Sequence, residues 1–84
     1  MADPNEAVQY FTRSTKSAPD RIDLQRGLAK SLIRAKRNTE GVAAWTKVAS
    51  MPGATSEDKV NLADALIRNG DWAKAMNRLH SFSA

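Results

Sequence analysis

The sequence predicts an all-α fold, and two observations carry that prediction. Apolar residues recur at helical spacing along most of the chain, whereas no stretch alternates between apolar and polar residues for long. The segment Leu28–Arg34 (LAKSLIR) returns 34 residues later as Leu62–Arg68 (LADALIR), identical at five of seven positions without a gap. A period of 34 is the length of one helix–turn–helix unit, so we expect antiparallel helix pairs stacked as a solenoid.

About five helices are expected, and the first two have recognisable ends. Asp3 is the expected N-cap of the first helix, with Pro4 at the first helical position and Glu6 completing a capping-box pattern. This helix should stop before Ser17-Ala18-Pro19, because proline cannot continue a helix. Asp20 is the expected N-cap of the second helix.

The remaining three helices are delimited by similar signals. The third should stop at the break Met51–Ala54, which contains a proline and a glycine. The expected N-caps of the third, fourth and fifth helices are Asn38 or Thr39, Thr55 or Ser56, and Asp71.

Side-chain size also repeats at the 34-residue interval. Small residues at positions 7, 41 and 75 are each followed one helical turn later by a bulky apolar residue. A small residue on one helix admits a large one from its neighbour, so this pattern favours close helix packing. The predicted repeat core consists of Ala7, Phe11, Leu28, Ala29, Leu32, Gly41, Trp45, Leu62, Ala63, Leu66, Ala75 and Leu79.

These spacings resemble the tetratricopeptide repeat, whose pattern runs from a leucine and a small residue through a Gly-Asp turn to an alanine, an aromatic and a closing proline. Gly70 and Asp71 match the turn and Pro19 matches a closing proline. The chain departs from the pattern where Lys36-Arg37 replaces the turn and where Leu79 replaces the aromatic. The resemblance implies a right-handed solenoid in one domain over 1–84, with a partial repeat at 3–21, a full repeat at 22–55 and a last repeat at 56–84.

The resemblance also implies a function, that of a non-enzymatic scaffold for protein–protein interactions. In this family the first helix of each repeat lines a concave face that binds partner peptides. On the second predicted helix, Arg26, Lys30 and Arg34 form one basic stripe that we expect to be unpaired, whereas Asp64 can pair with Arg68. The predicted partner-binding residues are Arg26, Lys30, Ile33, Arg34, Val60, Asn61, Asp64, Ile67 and Arg68.

The charge distribution indicates the chemistry of the partner. The net charge is +4 at pH 7, and residues 1–50 carry nine Lys and Arg against five Asp and Glu, whereas residues 51–84 carry four of each sign. This bias favours an acidic protein or peptide partner. The style of the repeats is similar to that of bacterial tetratricopeptide proteins in secretion, envelope and pilus assembly, including tight-adherence systems.

The sequence contains no motif for catalysis, metal binding or cofactor binding. There is no cysteine, and His80, the single histidine, has no nucleophile and carboxylate spaced around it for catalysis. Glu57 and Asp58 with Asp64 could suggest a cation site, but the first two are better explained by the positive start of the fourth helix. We therefore expect no enzyme activity, no metal and no cofactor.

Two other functions remain open from the sequence. The terminal helices could pair with a second copy, which would make the chain a homo-oligomer. The positive charge also allows nucleic-acid binding, although aromatic stacking residues are missing among the basic ones. No apolar stretch approaches the roughly 20 residues of a membrane span. The compartment, cytoplasmic or periplasmic, stays undetermined.

Overall fold

A computed structural model of the chain describes residues 3–70, and this part folds into four α-helices without a β-strand. The helices are α1 (Pro4–Ser17), α2 (Ile22–Arg34), α3 (Asn38–Ser50) and α4 (Ser56–Arg68). The predicted all-α class is therefore confirmed for these residues. The predicted fifth helix, with its cap Asp71 and its core residues Ala75 and Leu79, lies outside the described residues.

The helix starts keep the spacing of the sequence repeat. α1 begins at Pro4 and α3 at Asn38, 34 residues later, and the same interval separates Ile22 at the start of α2 from Ser56 at the start of α4. α2 and α4 also have the same length, 13 residues each. Sequence positions that correspond in the repeat therefore occupy corresponding positions on the helices.

Two of the predicted N-caps are confirmed. Asp3 caps α1 by accepting a hydrogen bond at Oδ1 from the Asn5 N–H at 2.9 Å. Thr55 caps α4 in a capping box, in which Asp58 N–H donates to Thr55 Oγ1 while the Asp58 carboxylate accepts from Thr55 N–H. These bonds satisfy backbone donors that no helical partner can reach.

Two other predicted caps are wrong, because α2 and α3 each start after an arginine. Arg21 and Arg37 occupy the N-cap positions, and neither makes a side-chain capping bond. A guanidinium has no acceptor for a backbone N–H. Each arginine instead pairs with an acid in the first turn of its helix, Arg21 with Asp23 and Arg37 with Glu40, both at 2.6 Å. Sequence preference for Asp20, Asn38 or Thr39 did not anticipate this pairing.

Consecutive helices pack on each other, α1 on α2, α2 on α3 and α3 on α4. Connections of three to five residues join them, so neighbouring helices run antiparallel. The central cluster of buried apolar residues draws on α2, α3 and α4 and consists of Ala29, Trp45, Val48, Leu62, Ala65 and Leu66.

Burial differs among the residues of the predicted repeat core. The buried members are Ala29, Leu32, Gly41, Trp45, Leu62, Ala63 and Leu66. Ala7, Phe11 and Leu28 are half-buried. Within the pair Leu28 and Leu62, which correspond in the repeat, only the second is buried.

α2 and α4 end in the same way, with a residue in the left-handed region directly after the C-cap. Lys36 has a φ of 63° and Gly70, 34 residues later, has a φ of 83°. The backbone N–H of Lys36 donates to Ile33 O at 3.0 Å, and that of Gly70 donates to Ile67 O at 3.0 Å. A left-handed C′ residue is the usual helix stop, and glycine adopts it without strain. Lys36 therefore carries backbone strain that Gly70 avoids.

We expect Lys36→Gly to raise the free energy of unfolding by about 0.5–1 kcal/mol. The substitution relieves backbone strain of about 1–2 kcal/mol, but glycine loses more conformational entropy on folding, which offsets part of the gain. Gly70→Ala is the matched control. It should lower the free energy of unfolding by about 1 kcal/mol. An added Cβ would meet no neighbouring atom, but an alanine with the positive φ of Gly70 would have a strained backbone. Urea unfolding of the two variants measures both effects, and a stabilising Gly70→Ala would contradict this account.

Candidate functional site

A groove of about 190 Å³ opens between α2 and α4, with α3 beneath it. It is lined by Lys30, Ile33, Arg34, Trp45, Asn61 and Asp64. Five of these were predicted to bind a partner, and the structure brings them together from segments 27 or more residues apart. We refer to this feature as the α2–α4 groove.

The floor of the α2–α4 groove is apolar and fixed. Trp45 is only 3% exposed and belongs to the central buried cluster. Ile33 is half-buried, packs against that cluster, and fills the space over Gly41 so closely that a Cβ there would collide with it. Gly41 thus lets α3 approach Ile33, in agreement with a small residue at this repeat position. A partner side chain would meet a preformed apolar surface.

The charges on the two walls differ. Lys30 and Arg34 are exposed on α2, four residues apart, and neither forms a salt bridge with another residue of the described range 3–70. On α4, Arg68 Nε donates to Asp64 Oδ2 at 2.8 Å, which confirms the predicted pair. Both of its side chains are more than half exposed, so the pair contributes little stability. The α2 wall therefore presents two cations available to a ligand.

Arg26 is not available to a ligand, because it forms a salt bridge with Asp58. The expectation that the basic stripe is unpaired is therefore wrong at Arg26. Its guanidinium donates from Nε to Asp58 Oδ1 at 2.8 Å and from Nη2 to Asp58 Oδ2 at 2.7 Å. A third bond runs from Nη2 to the carbonyl oxygen of Gly53 at 3.3 Å. The side chain is 29% exposed and that of Asp58 only 3%. Arg26 thus joins α2 to the start of α4.

Asp58 is the buried centre of this network. Its Oδ2 accepts bonds from Thr55 N–H at 2.9 Å and from Thr55 Oγ1 at 3.2 Å, in addition to the bond from Arg26. The hydrogen bonds from Arg26 and then from Thr55 hold the pKa of Asp58 below its ordinary value, against the opposing effect of burial. One carboxylate therefore caps α4 and binds α2 at the same time.

Sequence reasoning missed this ion pair, because it assigned Asp58 only to the helix dipole. A signal was present in the repeat. Arg26 and Asp58 are 32 residues apart. In a 34-residue repeat this separation puts two side chains at similar heights on corresponding helices.

Four of the predicted partner-binding residues do not line the groove. Arg26 is engaged with Asp58, as described above, and Ile67 is half-buried against the central cluster. Val60 is 47% exposed on α4, outside the groove lining. Arg68 is held by Asp64, and its carbonyl oxygen accepts a bond from Asn38 Nδ2 at 3.3 Å.

The groove chemistry suits binding through charge and apolar contact. Lys30 supplies three N–H donors and Arg34 a planar fork of five, next to the Asn61 amide and the apolar floor. Within residues 3–70 there is no group of three or more His, Cys, Asp or Glu arranged to hold a metal ion. No helix in the same range is long and apolar enough to cross a membrane.

We expect Asp58→Asn to lower the free energy of unfolding at neutral pH by about 2 kcal/mol, the range for hydrogen bonds to a charged group. Because folding lowers the pKa of Asp58, its stabilisation is present above the ordinary value of 3.8 and is lost as the pH falls through the lower folded pKa. The difference between the original chain and the variant should therefore shrink below about pH 4.

Urea unfolding over a series of pH values measures this difference. Asp64→Asn is the control, since its exposed pair with Arg68 should contribute no more than about 0.5 kcal/mol. An effect of Asp58→Asn that equals the control, or that grows on acidification, would contradict a stabilising ion pair.

Comparison of the chain with protein-family models, with curated proteins and with solved structures found no match. The tetratricopeptide resemblance accordingly rests on the residues and the period described above, and stays a prediction.

Proposed function

We propose that this chain is a non-enzymatic scaffold for protein–protein interactions, built from tetratricopeptide-like repeats, and that it binds an acidic, extended segment of a partner in the α2–α4 groove. The observation that carries the proposal is the pair Lys30 and Arg34, unpaired within residues 3–70 and adjacent to the apolar floor formed by Ile33 and Trp45. Binding of this kind would help to assemble a multiprotein complex.

The arrangement of charge supports an acidic ligand. A carboxylate over the α2 wall would meet two cations, and a neighbouring apolar side chain could contact Ile33 and the edge of Trp45. The opposite wall holds Asp64, whose charge is already balanced by Arg68. An acidic ligand thus gains two attractive contacts without facing an unbalanced carboxylate.

The size of the groove suits a ligand that places one or two side chains in it. A volume of about 190 Å³ is below the 300–1,000 Å³ common for small-molecule pockets. An extended peptide can place alternate side chains in such a space and leave the rest in solvent. Affinity for a single segment would be modest and would depend on salt, because the charges are exposed.

A short fluorescent peptide that alternates glutamate and leucine tests the proposal, with a lysine–leucine peptide as the opposite-charge control. We expect Lys30→Glu combined with Arg34→Glu to weaken binding of the acidic peptide by about tenfold, because exposed pairs contribute up to about 1 kcal/mol each. Arg26 should not be reversed in this experiment, since its loss would leave the buried Asp58 unpaired.

The matched control is Lys16→Glu combined with Lys59→Glu, which changes the net charge equally at exposed positions outside the groove. Fluorescence anisotropy should show less than about a twofold change for this control, because screening limits effects over such distances. Equal losses in both double variants would mean that net charge alone attracts the peptide. That result, or a failure to bind the acidic peptide at all, would overturn the proposal.

A further inference from the structure

A second and larger groove is lined by residues that do not line the α2–α4 groove. It has a volume of about 590 Å³ and lies along the outer face of α1 and the start of α2. Its lining includes Glu6, Tyr10, Arg13, Ser14, Arg21 and Leu24. Tyr10 is 62% exposed, an unusual state for a large aromatic side chain. We call this feature the α1 groove.

The position of Tyr10 follows from the packing of its neighbour. Phe11 lies over Gly27 of α2 so closely that a Cβ at Gly27 would collide with the ring. The ring of Tyr10 meets that of Phe11 edge to face, with centroids 5.0 Å apart and planes at 80°. Phe11 therefore fixes α1 against α2, and Tyr10 is presented on the outer side.

The chain contains its own example of how such a surface is covered. The residues 34 positions after Tyr10, Ser14 and Leu24 are Ala44, Val48 and Asp58, on α3 and α4. There α2 packs on α3, Val48 is fully buried, and Arg26 of α2 binds Asp58. The cover on the corresponding surface is thus a 13-residue amphipathic helix. Within residues 3–70 no such helix covers the α1 groove.

The differences between the two surfaces define what a covering helix must carry. Asp58 on α4 is bound by Arg26, the fifth residue of α2. Leu24 occupies the corresponding position in the α1 groove, so the fifth residue of a helix that covers this groove should be apolar. An arginine placed on Leu24 would lose water without gaining a carboxylate.

The start of the covering helix should be acidic. Asp20 and Ile22, at the start of α2, line a pocket together with Lys47 of α3. The residue that corresponds to Lys47 on α1 is Arg13, which forms no salt bridge with another residue of the range 3–70. Arg21 lies in the same groove but is already paired with Asp23. The first turn of a helix docked in the α2 manner would lie next to Arg13. Carboxylates there would also favour the positive helix N-terminus.

We propose that the α1 groove binds an amphipathic helix of a partner protein, with carboxylates in its first turn and an apolar residue at its fifth position. This surface is separate from the α2–α4 groove, so the inference goes beyond the proposed function. Charge complementarity with Arg13 and apolar contact with Tyr10 and Leu24 supply the recognition.

The chain offers a probe of this chemistry. The segment Ser56–Arg68 has Glu57 and Asp58 in its first turn and Val60 as its fifth residue. A synthetic peptide of this sequence, stapled on its polar face because short isolated helices are marginal, serves as the ligand. The same peptide with Val60→Arg is the matched control, since it restores the residue type that α2 carries.

Nuclear magnetic resonance titration of the ¹⁵N-labelled full chain locates the binding. We expect the probe to shift the amide signals of Tyr10, Ser14 and Leu24, and the Val60→Arg peptide to bind at least about fivefold more weakly. On the protein, Tyr10→Ser and Arg13→Glu should each weaken the probe by about fivefold to tenfold. Neither residue is buried, so both variants should keep the fold.

The double variant Lys30→Glu/Arg34→Glu should leave probe binding unchanged, which separates this inference from the proposed function. Equal affinity for both peptides, or shifts confined to the α2–α4 groove, would overturn the inference. Sedimentation equilibrium of the unlabelled chain adds a further test. Self-association that the probe dissociates would show that the occupant is a second copy, and would overturn the assignment to a partner protein.

Discussion

The ion pair between Arg26 and Asp58 is the interaction on which the rest of the described structure depends. α2 and α4 are separated along the chain by the whole of α3, and this pair joins them directly through two hydrogen bonds at 2.7 and 2.8 Å. The same carboxylate completes the capping box of α4. Helix initiation and the placement of α4 against α2 are therefore coupled through one buried side chain. The width of the α2–α4 groove follows from that placement.

The hydrogen bonds of this pair compensate for the burial of the Asp58 carboxylate. A buried carboxylate without partners costs several kcal/mol, whereas Asp58 accepts bonds from a guanidinium, a backbone N–H and a hydroxyl. No buried side-chain polar atom within residues 3–70 lacks a hydrogen-bond partner. Buried ion pairs add specificity more than stability in many proteins. Here the pair joins one helix pair to the next, whereas Lys30 and Arg34, further along α2, form no salt bridge with another residue of the range 3–70.

The two grooves lie on different surfaces and suit different partners. The α2–α4 groove is small, with an apolar floor and two available cations on one wall. The α1 groove is about three times as large and presents Tyr10 beside Arg13. Under the two proposals above, the α2–α4 groove would hold an extended segment and the α1 groove would hold a helix. The first proposal rests on the chemistry of named side chains, whereas the second also uses the 34-residue period to compare two surfaces of the same chain.

The sequence by itself determined the helical class of residues 3–70, the 34-residue interval and the cap at Asp3, and it narrowed the cap of α4 to Thr55 or Ser56. These features depend on local periodicity and on side chains near their own backbone. It also determined that Asp64 pairs with Arg68 within one helix. Only the tertiary structure decided that Arg26 is a structural residue and that Val60 is exposed outside the groove. Both outcomes depend on how α2 and α4 are set against each other. That arrangement arises from contacts between residues more than 30 positions apart, which local patterns do not specify.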